Sequence, residues 1–131
     1  IKNKSAIFLG VSYRSDVGDT RYSPVENFYN YLKNDNCDIY LHDPYVQFWE
    51  ELNIKIDSSD ETFADIKRKN FNILVFTTSH KEYKESKYLN NFLENQNKLL
   101  IFDTVGVLSK QDIKIFSKKH HIIILGRGDY K

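Results

Sequence analysis

The chain has 131 residues, with 19 basic and 18 acidic side chains, a net charge of +1 and one cysteine. This length supports one domain with a real core, residues 1–131, while the near-zero charge gives no chain-wide field for nucleic acid or an anionic membrane. A single thiol excludes an internal disulfide and fits a reducing, cytoplasmic setting. No apolar run approaches the roughly 20 residues of a membrane helix, and no charged-then-apolar leader opens the chain. Methionine is absent, and Ile1 is no natural start, so the chain is expected to be an excised or processed part of a longer protein.

Ala6 to Val11 is apolar without alternation, as in a strand buried on both faces of a parallel sheet. A loop with four charged groups follows, running from Gly10 to Pro24. Ser23, Pro24 and Glu26 then read as N-cap, first helical residue and capping-box partner. Val25, Phe28, Tyr29 and Leu32 give that helix one apolar stripe, and the helix is expected to fail near Asn34 to Asn36. Ile39 to Leu41 predicts a second strand that ends in the turn residues His42-Asp43-Pro44. The spacing next predicts a helical turn within Val46 to Leu52, a brief edge strand at Ile54 and Ile56, and a helix capped by Ser58 and Glu61 reaching Arg68.

Ile73 to Thr77 is the next buried strand. Ser79 to Glu82 reads as a cap for one or two helices reaching Leu93. Leu99 to Phe102 makes another strand, Ser109 caps a helix with Ile113 and Phe116 inward, and Ile122 to Leu125 closes the sheet. This alternation predicts an α/β, Rossmann-like three-layer sandwich: a mostly parallel sheet of five or six strands with helices on both faces.

In such a sheet the Tyr13 to Arg21 loop, His42-Asp43, Thr77 to His80 and Asp103-Thr104 all collect at the carboxyl edge, where open α/β sheets bind ligands. Arg14 and Arg21 there suit a phosphate or carboxylate, with Asp16 and Asp19 expected to orient the two guanidinium groups. A dinucleotide turn is not encoded, because Gly10 is followed by Val11, Ser12 and Tyr13 and Gly18 comes too late. His42, His80 and the pair His120-His121 show no metal spacing, so no metal is expected. His80 reads as part of a helix-capping turn, Cys37 as a small buried hydrophobe, and Arg127-Gly128-Asp129 as a turn.

The ordered pieces Tyr13-Arg14, Gly18-Asp19-Thr20-Arg21, Ser23-Pro24, His42-Asp43-Pro44-Tyr45, Phe76-Thr77-Thr78-Ser79-His80, and Phe102-Asp103 with Gly106-Val107-Leu108 cover nearly the whole chain. They resemble the C-terminal, UDP-binding domain of the UDP-glucose/GDP-mannose (nucleotide-sugar) dehydrogenase family. The resemblance implies that Tyr13 and Arg14 meet the UDP-sugar, arginine standing where lysine is usual. It implies that Arg21 reaches NAD bound by an N-terminal domain, and that Asp43-Pro44 is a structural turn. The implied parent enzyme oxidises a sugar's primary alcohol to a carboxylate for polysaccharide synthesis, works as a homo-oligomer, and carries its catalytic residues in N-terminal and central domains absent here. The fragment alone would be inactive. Many relatives carry an arginine after the Phe-Asp pair, whereas this chain has Thr104-Val105-Gly106, which leaves the identity of the sugar open.

Two other function classes compete. A stand-alone nucleotide-binding or interaction module needs nothing beyond the loop. A phosphatase of the haloacid-dehalogenase type would use Asp103 as nucleophile, but position 105 is valine where the general acid belongs.

Overall fold

The computed structural model describes residues 4–21, 23–66 and 69–125. In chain order the elements are β1 (Ser5–Leu9), α1 (Val25–Asn34), β2 (Asp38–His42), β3 (Phe48–Trp49), a 3-10 turn at Glu50–Leu52, β4 (Ile54–Lys55), α2 (Thr62–Asp65), β5 (Ile73–Phe76), α3 (Lys81–Glu85), α4 (Lys87–Asn95), β6 (Leu100–Asp103), α5 (Lys110–Phe116) and β7 (His121–Ile124). Five strands form one sheet in the order β2-β1-β5-β6-β7, and each neighbouring pair is parallel. The α/β, Rossmann-like expectation holds.

Strand alternation sorts the apolar side chains into two cores. Ile7, Leu9, Leu74, Phe76 and Ile101 face α2, α4 and α5, where Phe63, Leu89, Phe92, Leu93 and Phe116 cover them. Ala6, Phe8, Ile73 and Val75 face the other way, against Val25 and Leu32 of α1 and against Trp49. Trp49 and the four residues Ala6 to Leu9 are fully buried. Phe8 also stacks on Phe28 with ring centroids 5.2 Å apart.

The departures from the sequence reading are local. Residues 46–52 do not make a helical turn from end to end: Phe48–Trp49 pairs antiparallel with Ile54–Lys55, and the tight reversal between them uses Asn53 at φ 53°. Burying Trp49 against α1 outweighs the weak helical pattern there. The Ile54 strand therefore belongs to a separate ribbon, not to the edge of the main sheet.

Three expected caps also change. Ser23 Oγ accepts from the Val25 amide at 3.3 Å, but no side chain caps α1, and Pro24 already has helical dihedrals. Ser58 caps nothing in α2, which ends at Asp65; Arg68 lies outside the described residues. Ser79 gives way to Asp16, whose Oδ1 accepts from the Lys81 amide at 2.8 Å. Ser86, which the sequence reading passed over, caps α4 through the Leu89 amide, and Ser109 with Asp112 forms a full capping box on α5. The Arg127-Gly128-Asp129 turn lies outside the described residues. No helix among the described residues is long and apolar enough to cross a membrane, and none of their side chains cluster as a metal site.

Two histidines serve the cores. His42 hydrogen-bonds Tyr83 Oη and the Ser59 carbonyl, both at 2.9 Å, and His120 lies between the Leu99 amide and the Leu93 carbonyl. Burial pushes both pKa values below the usual 6.5. The unfolded chain therefore binds more protons than the fold once the pH drops through that value, so stability present above it is lost as pH falls. Urea midpoints are expected to fall between pH 7.5 and pH 5.5, with a further loss below about pH 4 as Asp43 and Asp57, both held below the usual carboxylate range, take up protons. A flat profile from pH 7.5 to 5.5 would contradict this assignment.

Candidate functional site

The sheet order reverses at β1: the chain moves from β1 outward to β2, then returns to place β5 on the other side. In open α/β sheets the crevice lies at the carboxyl ends of the strands flanking such a reversal. Three segments leave the sheet there: the loop after β1, the turn after β2, and the turn after β5. Each contributes one part of a buried polar base.

Asp43, after β2, is fully buried. Its Oδ2 accepts from the amides of Val11 and Ser12 at 2.8 and 3.1 Å, from Ser12 Oγ at 2.8 Å and from His80 Nε2 at 2.9 Å. Its Oδ1 accepts from the Tyr45 amide at 2.8 Å. Burial opposes ionisation of this carboxyl, but the His80 hydrogen bond and the Val11 and Tyr45 amides outweigh it and hold the pKa below the usual value. A carboxylate satisfied this fully is a structural anion.

His80 is equally buried, and its other nitrogen, Nδ1, accepts from the Asp16 amide at 2.8 Å. An accepting Nδ1 carries no hydrogen, so the network places the ring proton on Nε2, facing Asp43. Both ring nitrogens are committed, which leaves none to act as a general base on a ligand. His80 does stand at the N-cap of α3, as the reading of a capping turn has it, but its side chain caps nothing there and instead buttresses the β1 loop. Asp16 adopts φ 62° and uses its amide on His80 and its carboxylate on Lys81, so it does not orient Arg14.

Further bonds close the loop's base. Gly10 N donates to the His42 carbonyl at 2.8 Å, Thr78 Oγ1 donates to the Ser12 carbonyl at 2.9 Å, and Thr77 Oγ1 donates to the Gly10 carbonyl. Gly10 sits at φ 111°, and a Cβ there would lie 2.4 Å from Thr78 Cβ. Thr78 therefore packs directly against this turn. Gly18 is equally constrained, since a Cβ on it would stand 2.4 Å from the Tyr45 carbonyl oxygen.

On this base stands the exposed part of the loop. Tyr13 is 56% exposed, Arg14 is exposed, and no ion pair engages Arg14 among the described residues. The Tyr13 amide donates to the Asp19 carbonyl, which brings the outgoing and returning arms of the loop together. Arg21 donates through Nε and Nη2 to both oxygens of Asp19 at 3.0 Å, as the sequence suggested, and Nη1 takes no part in that pair. The bidentate contact lowers the Asp19 pKa to about 2 and raises that of Arg21. Thr20 Oγ1 bonds Glu51, tying the returning arm to the 3-10 turn. Arg21, Ser23, Pro24, Glu26, Asn27 and Glu51 border an open cavity of about 630 Å³ at the start of α1.

Two other candidates prove structural. Asp103 is fully buried, and its Oδ1 accepts from the amides of Val105, Gly106 and Val107 while Oδ2 accepts from Leu108. A carboxylate wrapped by four amides is no nucleophile, which removes the phosphatase alternative. Cys37 is buried at the amino end of β2, opposite the crevice, and burial pushes its thiol pKa up.

The parallel sheet with its reversal at β1 and helices on both faces defines a doubly wound α/β domain. Residues 7–110 match the model of the UDP-glucose/GDP-mannose dehydrogenase family, UDP binding domain, and the chain belongs to that family. It is 28% identical over 128 residues to a UDP-N-acetyl-D-mannosamine dehydrogenase of Methanocaldococcus jannaschii, covering 95% of this chain and 27% of that protein. It is 30% identical over 84 residues to the same enzyme of Methanococcus aeolicus, covering 64% of this chain and 17% of that protein. Among solved structures it resembles an NDP-N-acetyl-D-galactosaminuronic acid dehydrogenase from Methanosarcina mazei, with a TM-score of 0.75 at 20% identity over 96% of this chain and 25% of that one. A UDP-D-ManNAc dehydrogenase from Pyrococcus horikoshii gives 0.69 at 21% identity, again over 96% of this chain and 26% of that one. The chain thus spans about a quarter of the length of most of these relatives.

Asp43→Asn keeps the shape of the buried acceptor but turns one oxygen into a donor facing other donors. It should cost about 2–3 kcal/mol of stability and speed amide exchange at Val11 and Ser12. Unfolding midpoints and exchange rates equal to the parent's would show that the carboxylate is not what pins the loop.

Proposed function

We propose that this chain is the substrate-binding domain of an NAD-dependent nucleotide-sugar 6-dehydrogenase. The exposed Tyr13-Arg14 tip, held on a buried base at the carboxyl end of β1, is the observation that carries this reading. Tyr13 packs against the nucleotide sugar, and Arg14, in no close ion pair among the described residues, offers a bidentate fork to phosphate oxygens. Arg21, preset by Asp19, reaches a cofactor held by a second domain. The full enzyme converts a sugar primary alcohol into a uronate for polysaccharide synthesis. It resides in the cytoplasm and assembles as a homo-oligomer.

NAD supplies the hydride acceptor when bound, and this domain's residues fit it only from one side. The Gly10 turn is closed by Thr78, so the dinucleotide's phosphates find no cradle here. Arg21 is the group available at the rim, with a side chain 76% exposed. The domain therefore orients the substrate and contributes one cation, while N-terminal and central domains supply the glycine turn and the reacting side chains. That both of the Methanocaldococcus and Methanococcus relatives are UDP-N-acetyl-D-mannosamine dehydrogenases favours a UDP-linked N-acetylated hexose. A free-standing binding module is the reading left if no such partner domains exist.

In the full-length enzyme, Arg14→Ala, by losing a charge-assisted contact, and Tyr13→Ala, by losing ring packing, are each expected to raise the UDP-sugar Kd about tenfold in calorimetry. Arg21→Ala should raise the KM for NAD and leave the UDP-sugar Kd in place. The isolated chain should bind UDP weakly or not at all. An unchanged UDP-sugar Kd in Arg14→Ala, or tight UDP binding by the isolated chain, would count against this assignment.

A further inference from the structure

His42 ends β2, beside the start of the β1 loop, and is buried. Its Nε2 stands 2.9 Å from the Ser59 carbonyl, which can only accept, so that nitrogen carries a hydrogen. Its Nδ1 stands 2.9 Å from Tyr83 Oη, and the same hydroxyl lies 3.0 Å from the His42 carbonyl. Burial pushes the Tyr83 phenol well above its usual 10, so the hydroxyl keeps its hydrogen. That one hydrogen cannot serve two acceptors at once.

Two hydrogen arrangements satisfy the same heavy atoms. With the ring neutral, Nδ1 is bare and takes the tyrosine hydrogen, which leaves the His42 carbonyl to the Gly10 amide at 2.8 Å. With the ring charged, Nδ1–H donates to Tyr83 Oη, and the tyrosine hydrogen swings to the carbonyl, which then holds Gly10 and Tyr83 together. The added proton comes from solvent and only the hydroxyl rotates, so no heavy-atom contact is broken. Asp43 in the following turn, Asp57 in the segment bridged to His42 and Asp60 ahead of α2 each favour the charged ring, while burial opposes it and keeps its pKa below 6.5. Phe63 of α2 lies against the ring at 4.7 Å. On α3, Tyr83 is faced in turn by Glu82 and by His80, whose ring hydrogen points to Asp43.

We propose that His42 and Tyr83 form a proton-operated latch on the β1 loop, in which a charged His42 ring and an anion seated at Arg14 favour each other. The anion's part in this coupling rests on the reading of Arg14 as a phosphate contact. Gly10, at φ 111°, is where the loop leaves β1, and the carbonyl that fixes its amide is the one that gains a second donor. The charged ring also adds a cation at the carboxyl edge of the sheet, on the side from which the loop presents Arg14. Such coupling is reciprocal: a bound anion strengthens proton binding by the same factor as the proton strengthens anion binding. The domain's hold on its ligand thereby becomes sensitive to pH just below neutrality.

Nitrogen NMR of the imidazoles in the ligand-free 131-residue chain tests the latch itself. The neutral His42 ring is expected to carry its hydrogen on Nε2, and in Tyr83→Phe its titration should move to lower pH, because the charged ring then lacks an acceptor for Nδ1–H. A neutral ring protonated on Nδ1, or a titration unmoved in Tyr83→Phe, overturns the latch. Calorimetry on the full-length enzyme tests the coupling with UDP-N-acetyl-D-mannosamine, the sugar nucleotide of the Methanocaldococcus and Methanococcus relatives, whose diphosphate diester does not titrate in this range. Its Kd at pH 5.5 should be at least about fivefold below that at pH 7.5. His42→Gln, donating to Ser59 and accepting from Tyr83, holds the neutral arrangement and should erase that difference. A parent Kd that does not tighten, or a variant that keeps the tightening, overturns the coupling. Absence of sugar-nucleotide binding at either pH would defeat the functional reading, while the NMR titration, which contains no nucleotide, still decides the latch.

Discussion

A single carboxylate oxygen organises the carboxyl edge of this domain. Asp43 Oδ2, at the end of β2, gathers donors from the ends of the next two strands: two amides and a hydroxyl from the loop after β1, and the imidazole from the turn after β5. Three separate crossings of the sheet are thereby fastened at one point. The cost of taking a carboxylate out of water is offset only because every donor is in place at once, so the arrangement is close to all-or-none. The β1 loop inherits its position from this point. It can then carry Tyr13, Arg14 and Arg21 at the surface without relying on its own weak local structure.

The fold was readable because its main signals are local. Ala6 to Leu9 and Ile73 to Phe76 are continuous apolar runs, and such runs separated by capped helical patterns leave few topologies. The exact caps were less readable, since serine occurs near every helix start and only tertiary contacts decide which one is used. Asp16 shows the point: its cap to Lys81 joins residues 65 apart in the chain. The β3–β4 ribbon was missed for a related reason, as its pattern is short and Trp49 is drawn inward by α1, a force that no window of sequence contains.

The site was legible at its surface and obscure underneath. A dense set of charges after the first strand marked the loop, and the Asp19–Arg21 pair follows from their spacing. Asp43 beside a proline reads as a turn residue, and His80 beside a serine reads as a cap. What would have joined them is topology: one follows β2 and the other β5, the two neighbours of β1, so parallel pairing brings both to the same end of the same strand. Polar residues placed immediately after strands that flank a reversal are therefore worth testing as mutual partners before they are given separate local roles.

The cage around Asp103 has an implication for how the crevice sorts its contents. The amides of residues 105 to 108 all point to that carboxylate, and Thr104 Oγ1 donates to the Phe76 carbonyl. None of these donors is left over for an incoming group. On the function proposed above, an arriving anion would find cations at one end of the mouth and a saturated, negatively charged corner at the other, a polarity that would orient an asymmetric molecule before any close contact forms.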